Sequence, residues 1–326
     1  MIKCSAGTAK VLGLKELKSD ALPTTAYLMT GERCSNDCSF CPQAKYSGAR
    51  ADLLSRVTWP EYAREAVLDG VARAFEANSI KRSCFQVTNS KHALQETKVF
   101  LQDLQSKSPV PICVSCSVGT VQAVSELINQ GADHVSIALD AACERIFVEN
   151  KAGSWSQKYR LLQESAKEFP GRIATHLIVG LGETEEEMLR TVQEMVDLGV
   201  TIALFALTPI KGTRLEHGKP PAIDQYRRIQ AARYLIQKGL DRFEKMCFEG
   251  GKLVRLGLSE EEWVNALADG EAFRTSGCPD CNRPYYNEKP GGLIYNYPKP
   301  LTLEQREQAL RELNLGGLTG SVQIPD

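Results

Sequence analysis

From residue 24 to residue 240 the chain alternates six times between a short β-branched, apolar run and a longer stretch whose apolar residues recur at helical spacing. Residues 24–30, 84–89, 111–116, 134–140, 172–179 and 201–207 read as strands. The stretches 59–77, 93–107, 121–130, 156–168, 185–198 and 223–238 read as helices. Parallel strands need a crossover between them, and a helix is its usual form. Repeated strand–helix units therefore imply an α/β domain with a parallel, barrel-like sheet inside and helices outside. Residues 1–23 read as an N-terminal extension packed across one end of this 24–240 barrel. Residues 241–326 read as a C-terminal cap, with a strand at 243–248 and a short helix at 259–268.

The cysteine count says what such a barrel is for. Eleven cysteines in 326 residues is many for a chain whose N-terminus, Met1-Ile-Lys-Cys-Ser-Ala-Gly, has no hydrophobic signal core. A cytoplasmic location is expected, and disulfides are rare in that reducing compartment. The odd total also argues against a fully paired disulfide framework, so several cysteines are expected to be metal ligands. A net charge of −1 provides no general attraction to nucleic acid or anionic membrane. No apolar run reaches membrane-spanning length.

The densest cysteine stretch is Cys34-Ser-Asn-Asp-Cys38-Ser-Phe-Cys41, just after the first predicted strand and Gly31. A strand that feeds a chemistry-bearing loop follows the logic of barrel active sites. Three thiolates at this spacing wrap one compact centre. A closed iron–sulfur cube takes four cysteines, so three local ligands leave one iron open. The rival is a zinc knuckle short of a ligand, and the next histidine, His92, is far downstream.

The trio, with Phe40 before its last cysteine, resembles the signature of the radical S-adenosylmethionine (SAM) enzymes. That resemblance implies a partial (β/α)6 TIM-like barrel. It also implies a [4Fe–4S] cluster on Cys34, Cys38 and Cys41 whose open iron binds SAM and cleaves it to a 5′-deoxyadenosyl radical. The continuation, Cys41-Pro-Gln-Ala-Lys-Tyr-Ser-Gly48, is similar to the biotin synthase branch, whose members insert sulfur at unactivated carbons.

A second centre is expected from the rest of the cysteines. Cys278-Pro-Asp-Cys281 is a two-ligand clip in a tight turn, and a thioredoxin-like redox pair, its rival, lacks the usual βαβ setting. Arg82-Ser-Cys84 resembles the segment carrying the first auxiliary-cluster cysteine of biotin synthase, and Cys116, before Gly119-Thr120, falls near the second. Ala174 stands in the segment where that family carries a third. An auxiliary iron–sulfur cluster, of [4Fe–4S] type, is thus expected on Cys278, Cys281 and Cys84. Its fourth ligand is left among Cys116, Cys247, Cys4, a serine or nothing. Cys113, an odd number of positions from Cys116, is expected to face the other side of its strand, and both it and Cys143, beyond the fourth strand, to be structural.

The resemblance also implies a SAM cradle. Ile178-Val-Gly180-Leu-Gly182-Glu183 resembles the family's adenine-contacting segment, with glycines allowing close backbone approach. Asp140 resembles the carboxylate that binds the SAM ribose; the alternative is a helix N-cap. Gln86 and Asn89 lie where the family contacts the SAM amino group, and Thr208 closes the adenosine pocket. His176 reads equally as a hydrogen-bonded core histidine or a site residue. Arg283 reads as an acid binder, a partner stacked on Tyr285 or a cap salt bridge.

Further along, Thr175-His-Leu-Ile-Val-Gly-Leu-Gly-Glu183, Ala206-Leu-Thr-Pro209, Tyr226-Arg-Arg-Ile-Gln230 and Thr275-Ser-Gly-Cys-Pro-Asp-Cys-Asn-Arg-Pro284 resemble the two-component lipoyl synthases. These imply sulfur insertion into an octanoyl chain on a lysine of a lipoyl-carrier protein or domain, with a sacrificial auxiliary cluster. The implied partners are a companion radical SAM subunit and a ferredoxin or flavodoxin electron donor. Another radical SAM reaction with an electron-transfer auxiliary cluster, a non-catalytic iron–sulfur protein and a zinc-dependent nucleic-acid binder are the alternatives. The near-neutral charge opposes the last.

Overall fold

The computed structural model describes residues 1–289 and 291–315. An eight-stranded sheet organises it. Strand β1 (Ile2–Cys4) pairs antiparallel with β2 (Thr25–Thr30), and on its other side with the two-residue strand Glu61–Tyr62. From β2 the sheet runs parallel in chain order through β3 (Arg82–Val87), β4 (Ile112–Ser115), β5 (His134–Ser136), β6 (Ile173–Val179) and β7 (Thr201–Ala206). This mixed α/β chain is a partial (β/α)6 TIM-like barrel.

Alternation along the strands separates two faces. Leu28, Phe85, Val114, Val135, Leu177 and Leu204 turn outward into the main core, where Val67, Leu68, Phe100, Leu101, Leu127, Leu189 and Val192 of the outer helices meet them. Burying each such side chain contributes about 1.5–3 kcal/mol. The helix Glu185–Asp197 shows how sharply an end is set. Thr184 and Glu187 form a reciprocal capping box, and three glutamates occupy its first turn, where the helix dipole favours negative charge.

Five elements depart from expectation. The first outer helix begins at Arg64 rather than near residue 59. Pro60 disfavours helical backbone at Trp59, and Glu61–Tyr62 goes to the sheet instead. The fourth barrel strand stops at Ser136, after which Asp140, at φ 61°, touches the sheet only through a bridge to Leu177. The lead-in contributes β1 to the sheet. In the cap, residues Phe243–Lys245 make a 3₁₀ turn before the hairpin Cys247–Glu249 and Lys252–Arg255. A helix at Leu303–Glu312 was not legible, because it buries just Ala309 and Leu310 among its ten residues.

Buried ion pairs fasten cap to barrel. Arg228, in the helix Ile223–Gln237, holds Glu185 through two hydrogen bonds of 2.7 and 2.9 Å, and Glu185 also accepts from Leu253 N. Arg227 reaches Glu312 and the carbonyls of Ile294 and Tyr295. Residues 275–287 then run from β7 to β2, the two ends of the parallel array. Ser276 Oγ accepts from Leu204 N, Asn282 accepts from Thr24 N and donates to Leu22 O, and Ser55 Oγ donates to Tyr286 O. Among the described residues no helix is long and apolar enough to cross a membrane.

Candidate active site

The inward face of the sheet lines a cavity of about 590 Å³. Its walls follow the period of two: Thr25, Tyr27 and Met29 on β2, Arg82, Cys84 and Gln86 on β3, and Cys113 and Ser115 on β4. Ser136 on β5, Ala174, His176 and Ile178 on β6, and Ala203 and Phe205 on β7 complete the ring. Both expected cysteine sets open onto this one space.

Cys34, Cys38 and Cys41 lie in the loop that follows β2. Arg33 builds that loop from within: its guanidinium donates to the carbonyls of Pro42, Ala44, Ser47 and Ala49 at 2.7–3.4 Å. Gln43 holds the carbonyls of Ala51 and Leu53, and Ser39 ties the loop to Asn150. Gly212, at φ 89°, brings its backbone so close that a Cβ would stand 2.4 Å from Ala49 N. Asn89 anchors the loop's other side. Its N–H donates to Cys34 Sγ at 3.3 Å, its side chain to Asn36, and its carbonyl accepts from Ser35.

Burial raises the thiols of Cys38 and Cys41, the latter to about 12. Cys38 and Cys34 stand close enough to raise Cys41 further. Buried thiols of this kind ionise only against a strongly positive centre, so the donor set suits an iron–sulfur cluster.

The second set sits deeper. Cys281 N donates to Cys278 O at 3.1 Å in the turn that joins them. The register sets Cys84 beside Cys113. Burial raises Cys84, and the thiolates of Cys278 and Cys281 raise it again. A hydrogen bond between Cys113 and Cys278 raises Cys113 and lowers Cys278.

Here the structure corrects the sequence reading. Cys113, on β4, is the one beside Cys278, while Cys116 also borders the cavity. Cys116 lies beyond the end of the strand, and burial pushes its thiol up to about 12 beside Lys158. Strand phase decides this: Cys113 is in register with inward-facing Cys84, a relation that the spacing of Cys113 and Cys116 does not reveal. Cys247 sits on the cap hairpin against Arg255, and Cys4 is buried on β1; neither lines the cavity. Cys143 caps the short helix Glu144–Asn150 and meets Glu187.

Of the expected SAM-cradle residues, Gln86, Asn89, Asp140, Ile178 and Thr208 line the cavity. Gly180, Gly182 and Glu183 do not. Glu183 instead accepts from the N–H groups of Gly180 and Leu181, and fixes the turn after β6. Asp140 is no helix cap, since the cap position belongs to Cys143. Its carboxylate binds Lys151 Nζ at 2.5 Å. Gln86 donates to Cys84 Sγ at 3.1 Å, toward the deeper set.

His176 is half-buried on the cavity wall, against Ser136 and edge-on to Phe205, and burial lowers its pKa to about 4. It is a neutral imidazole. Arg283 stacks on Phe205, 4.2 Å from the ring centre, rather than on Tyr285, whose hydroxyl goes to Asp20. Its N–H groups donate to Ser276 O and Leu204 O.

Four functional side chains escaped the sequence reading: Arg33, Arg82, Lys151 and Lys158. A basic residue next to a cysteine loop was a signal for Arg33; nothing local marks the other three. Among the described residues the Lys158 ammonium meets just one carbonyl, Val118 O at 3.5 Å, and pairs with no carboxylate, and burial lowers its pKa.

Residues 28–195 match the Radical SAM superfamily. The chain is 28% identical over 286 residues to the mitochondrial biotin synthase of Arabidopsis thaliana, covering 82% of this chain and 70% of that protein. It is 25% identical over 191 residues to the lipoyl synthase of Halorubrum lacusprofundi, covering 57% of this chain and 58% of that one. Four further biotin synthases match over 54–66% of their own length, so the chain spans less than two thirds of those relatives. The crystal structure of methylornithine synthase superposes with a TM-score of 0.53 at 11% identity, over 66% of this chain and 62% of that one. That likeness is one of fold.

Proposed function

The chain belongs to the radical SAM superfamily, whose members hold a [4Fe–4S] cluster and SAM, and within it we propose a sulfur-insertion enzyme of the lipoyl synthase type. Its substrate would be an octanoyl chain on a lysine of a carrier protein or domain, converted with a companion radical SAM subunit. A ferredoxin or flavodoxin would deliver electrons. The observation that carries this reading is that two separate cysteine sets face one cavity.

The bound groups supply two things: a [4Fe–4S] cluster that cleaves SAM to a hydrogen-abstracting radical, and an auxiliary iron–sulfur centre that provides the sulfur. The chain's own residues do the rest. Cys34, Cys38 and Cys41 hold the first centre, and Arg33 and Asn89 orient their loop. Lys158, which pairs with no carboxylate among the described residues, suits the SAM carboxylate, and Asp140, steadied by Lys151, suits the ribose. Between the cysteine sets, Met29, Val87, Ile178, Phe205 and Leu207 exclude water and align an alkyl chain. Cys84, Cys278 and Cys281 hold the auxiliary centre beyond it.

The charge balance of the cavity favours an amide-linked chain over a free acid. Of its cations, Lys151 is taken by Asp140, Arg82 by Asp133, and Arg283 by two carbonyls. With Lys158 assigned to SAM, no cation is left for a substrate carboxylate, which would be costly to bury unpaired. A biotin-synthase-type insertion is the second reading, favoured by the names of most relatives. Ala174, where that family carries a cysteine, weighs against it.

The test is single-turnover mass spectrometry of the anaerobic, iron-loaded protein together with a companion radical SAM subunit of the two-component type, SAM, reductant and an octanoyl-lysyl carrier peptide, with free octanoate as a parallel substrate. Sulfur added to the peptide and not to the acid supports the proposal. 5′-Deoxyadenosine without a sulfur-bearing product would overturn it.

A further inference from the structure

We propose that Cys113 is the fourth ligand of the auxiliary centre, which is thereby closed by Cys84, Cys113, Cys278 and Cys281. This rests on the second centre assigned above and completes it. The barrel supplies two of the thiols, side by side on adjacent parallel strands. The cap supplies the other two from one tight turn: Arg82, which donates to Cys113 Sγ, also donates to Pro279 O between Cys278 and Cys281, and Cys281 stands against Tyr27, whose strand position pairs with Cys84. Four sulfurs thus converge from two independent elements. Gly277, at φ 127°, makes the approach possible: a Cβ there would meet Ala203 Cβ at 3.1 Å and Arg283 Nη1 at 3.3 Å.

The surroundings of these sulfurs are a second, separate observation. Arg82 Nη1 donates to Cys113 Sγ at 3.3 Å, Gln86 Nε2 to Cys84 Sγ at 3.1 Å, and Arg283 Nη1 lies 3.7 Å from Cys281 Sγ. The Tyr27 hydroxyl stands 3.2 Å from the same Cys281 sulfur. Neutral thiols are weak acceptors, whereas metal-bound thiolates carry charge that such donors stabilise and tune. Two guanidiniums beside these sulfurs offset that charge, and Asp133 stands across Arg82 from Cys113.

Four cysteines, with no histidine or carboxylate among them, match the four thiolate corners of an iron–sulfur cube. Unlike the loop trio, this set leaves no open iron, so this centre binds no SAM.

The ligand set is tested in a Cys34→Ala/Cys38→Ala/Cys41→Ala background, which isolates the second centre. After anaerobic loading this protein is expected to hold about four irons, the content of one cube, with an EPR signal that SAM does not alter. Adding Cys113→Ala should at least halve the iron and change the signal, and adding Cys116→Ala should change neither. Cys113→Ser, whose oxygen is still a ligand, should keep more iron than Cys113→Ala and shift the signal, which a merely structural cysteine would not do. Full iron and an unchanged signal in Cys113→Ala would overturn the assignment, as would loss confined to Cys116→Ala. Absence of iron from the triple variant itself would overturn the second centre altogether.

Discussion

Cys84 and Cys113 stand opposite one another on neighbouring parallel strands, residue paired with residue, at the inner face of the barrel. Cys278 and Cys281 reach the same place from a cap that begins more than a hundred residues later in sequence. The loop cysteines line the same cavity.

Lys158 is expected to govern SAM affinity. A hydrogen bond to a charged group contributes about 1.5–3 kcal/mol, so Lys158→Met should weaken SAM binding about ten- to a hundredfold. Lys158→Arg should retain much of it. Equilibrium binding of SAM to the iron-loaded protein is the measurement, and equal affinity in Lys158→Met and the parent would remove this residue from the site.

Arg33 holds four carbonyls of the cluster loop in one grip. Arg33→Ala is expected to leave the barrel folded but cost about 1–3 kcal/mol, concentrated in the loop. Iron content of the first centre should fall severalfold in a Cys278→Ala/Cys281→Ala background, while far-UV circular dichroism stays unchanged. Normal iron loading would contradict this.

His176 gives a pH signature. Its folded pKa of about 4 lies below the unfolded value, so the folded chain binds fewer protons between those two values. Stability from this residue is complete above about pH 6.5 and is lost as pH falls toward 4, by roughly 3 kcal/mol in all. His176→Gln should flatten the fall in melting temperature across that window. A parallel fall in both proteins would show that the imidazole does not titrate this way.

Glu185 and Arg228 form an ion pair that is almost wholly removed from water. Removing one partner strands the other charge, at a cost of about 3–5 kcal/mol. Glu185→Ala should therefore lower the unfolding midpoint sharply and loosen the cap, which Arg228 also ties through Leu313 O. Replacing both partners with apolar residues should restore much of the loss. Denaturant titration of the single and double variants distinguishes these outcomes.

The barrel was legible because strand and helix periods differ and the alternation repeats six times. The loop trio was legible because its three cysteines are local. Cys113 was not, since which of two odd-spaced cysteines faces inward depends on strand register, set by Cys84 on the neighbouring strand. Lys151 and Lys158 were missed for a related reason: their partners, Asp140 and Val118, are brought to them by the fold rather than by the chain. Gly180 and Gly182 matched a pattern, yet they shape a turn beside the cavity rather than its wall.

The most direct test of sulfur transfer from the second centre is isotopic. The protein is loaded anaerobically with iron and heavy-isotope sulfide, freed of excess sulfide, and given the companion subunit at natural isotopic composition, SAM, reductant and the octanoyl-lysyl carrier peptide. Mass spectrometry should find the heavy isotope in the product, with iron lost from the second centre in proportion. Product sulfur of natural isotopic composition, or full product formation by Cys278→Ala/Cys281→Ala, would contradict the account.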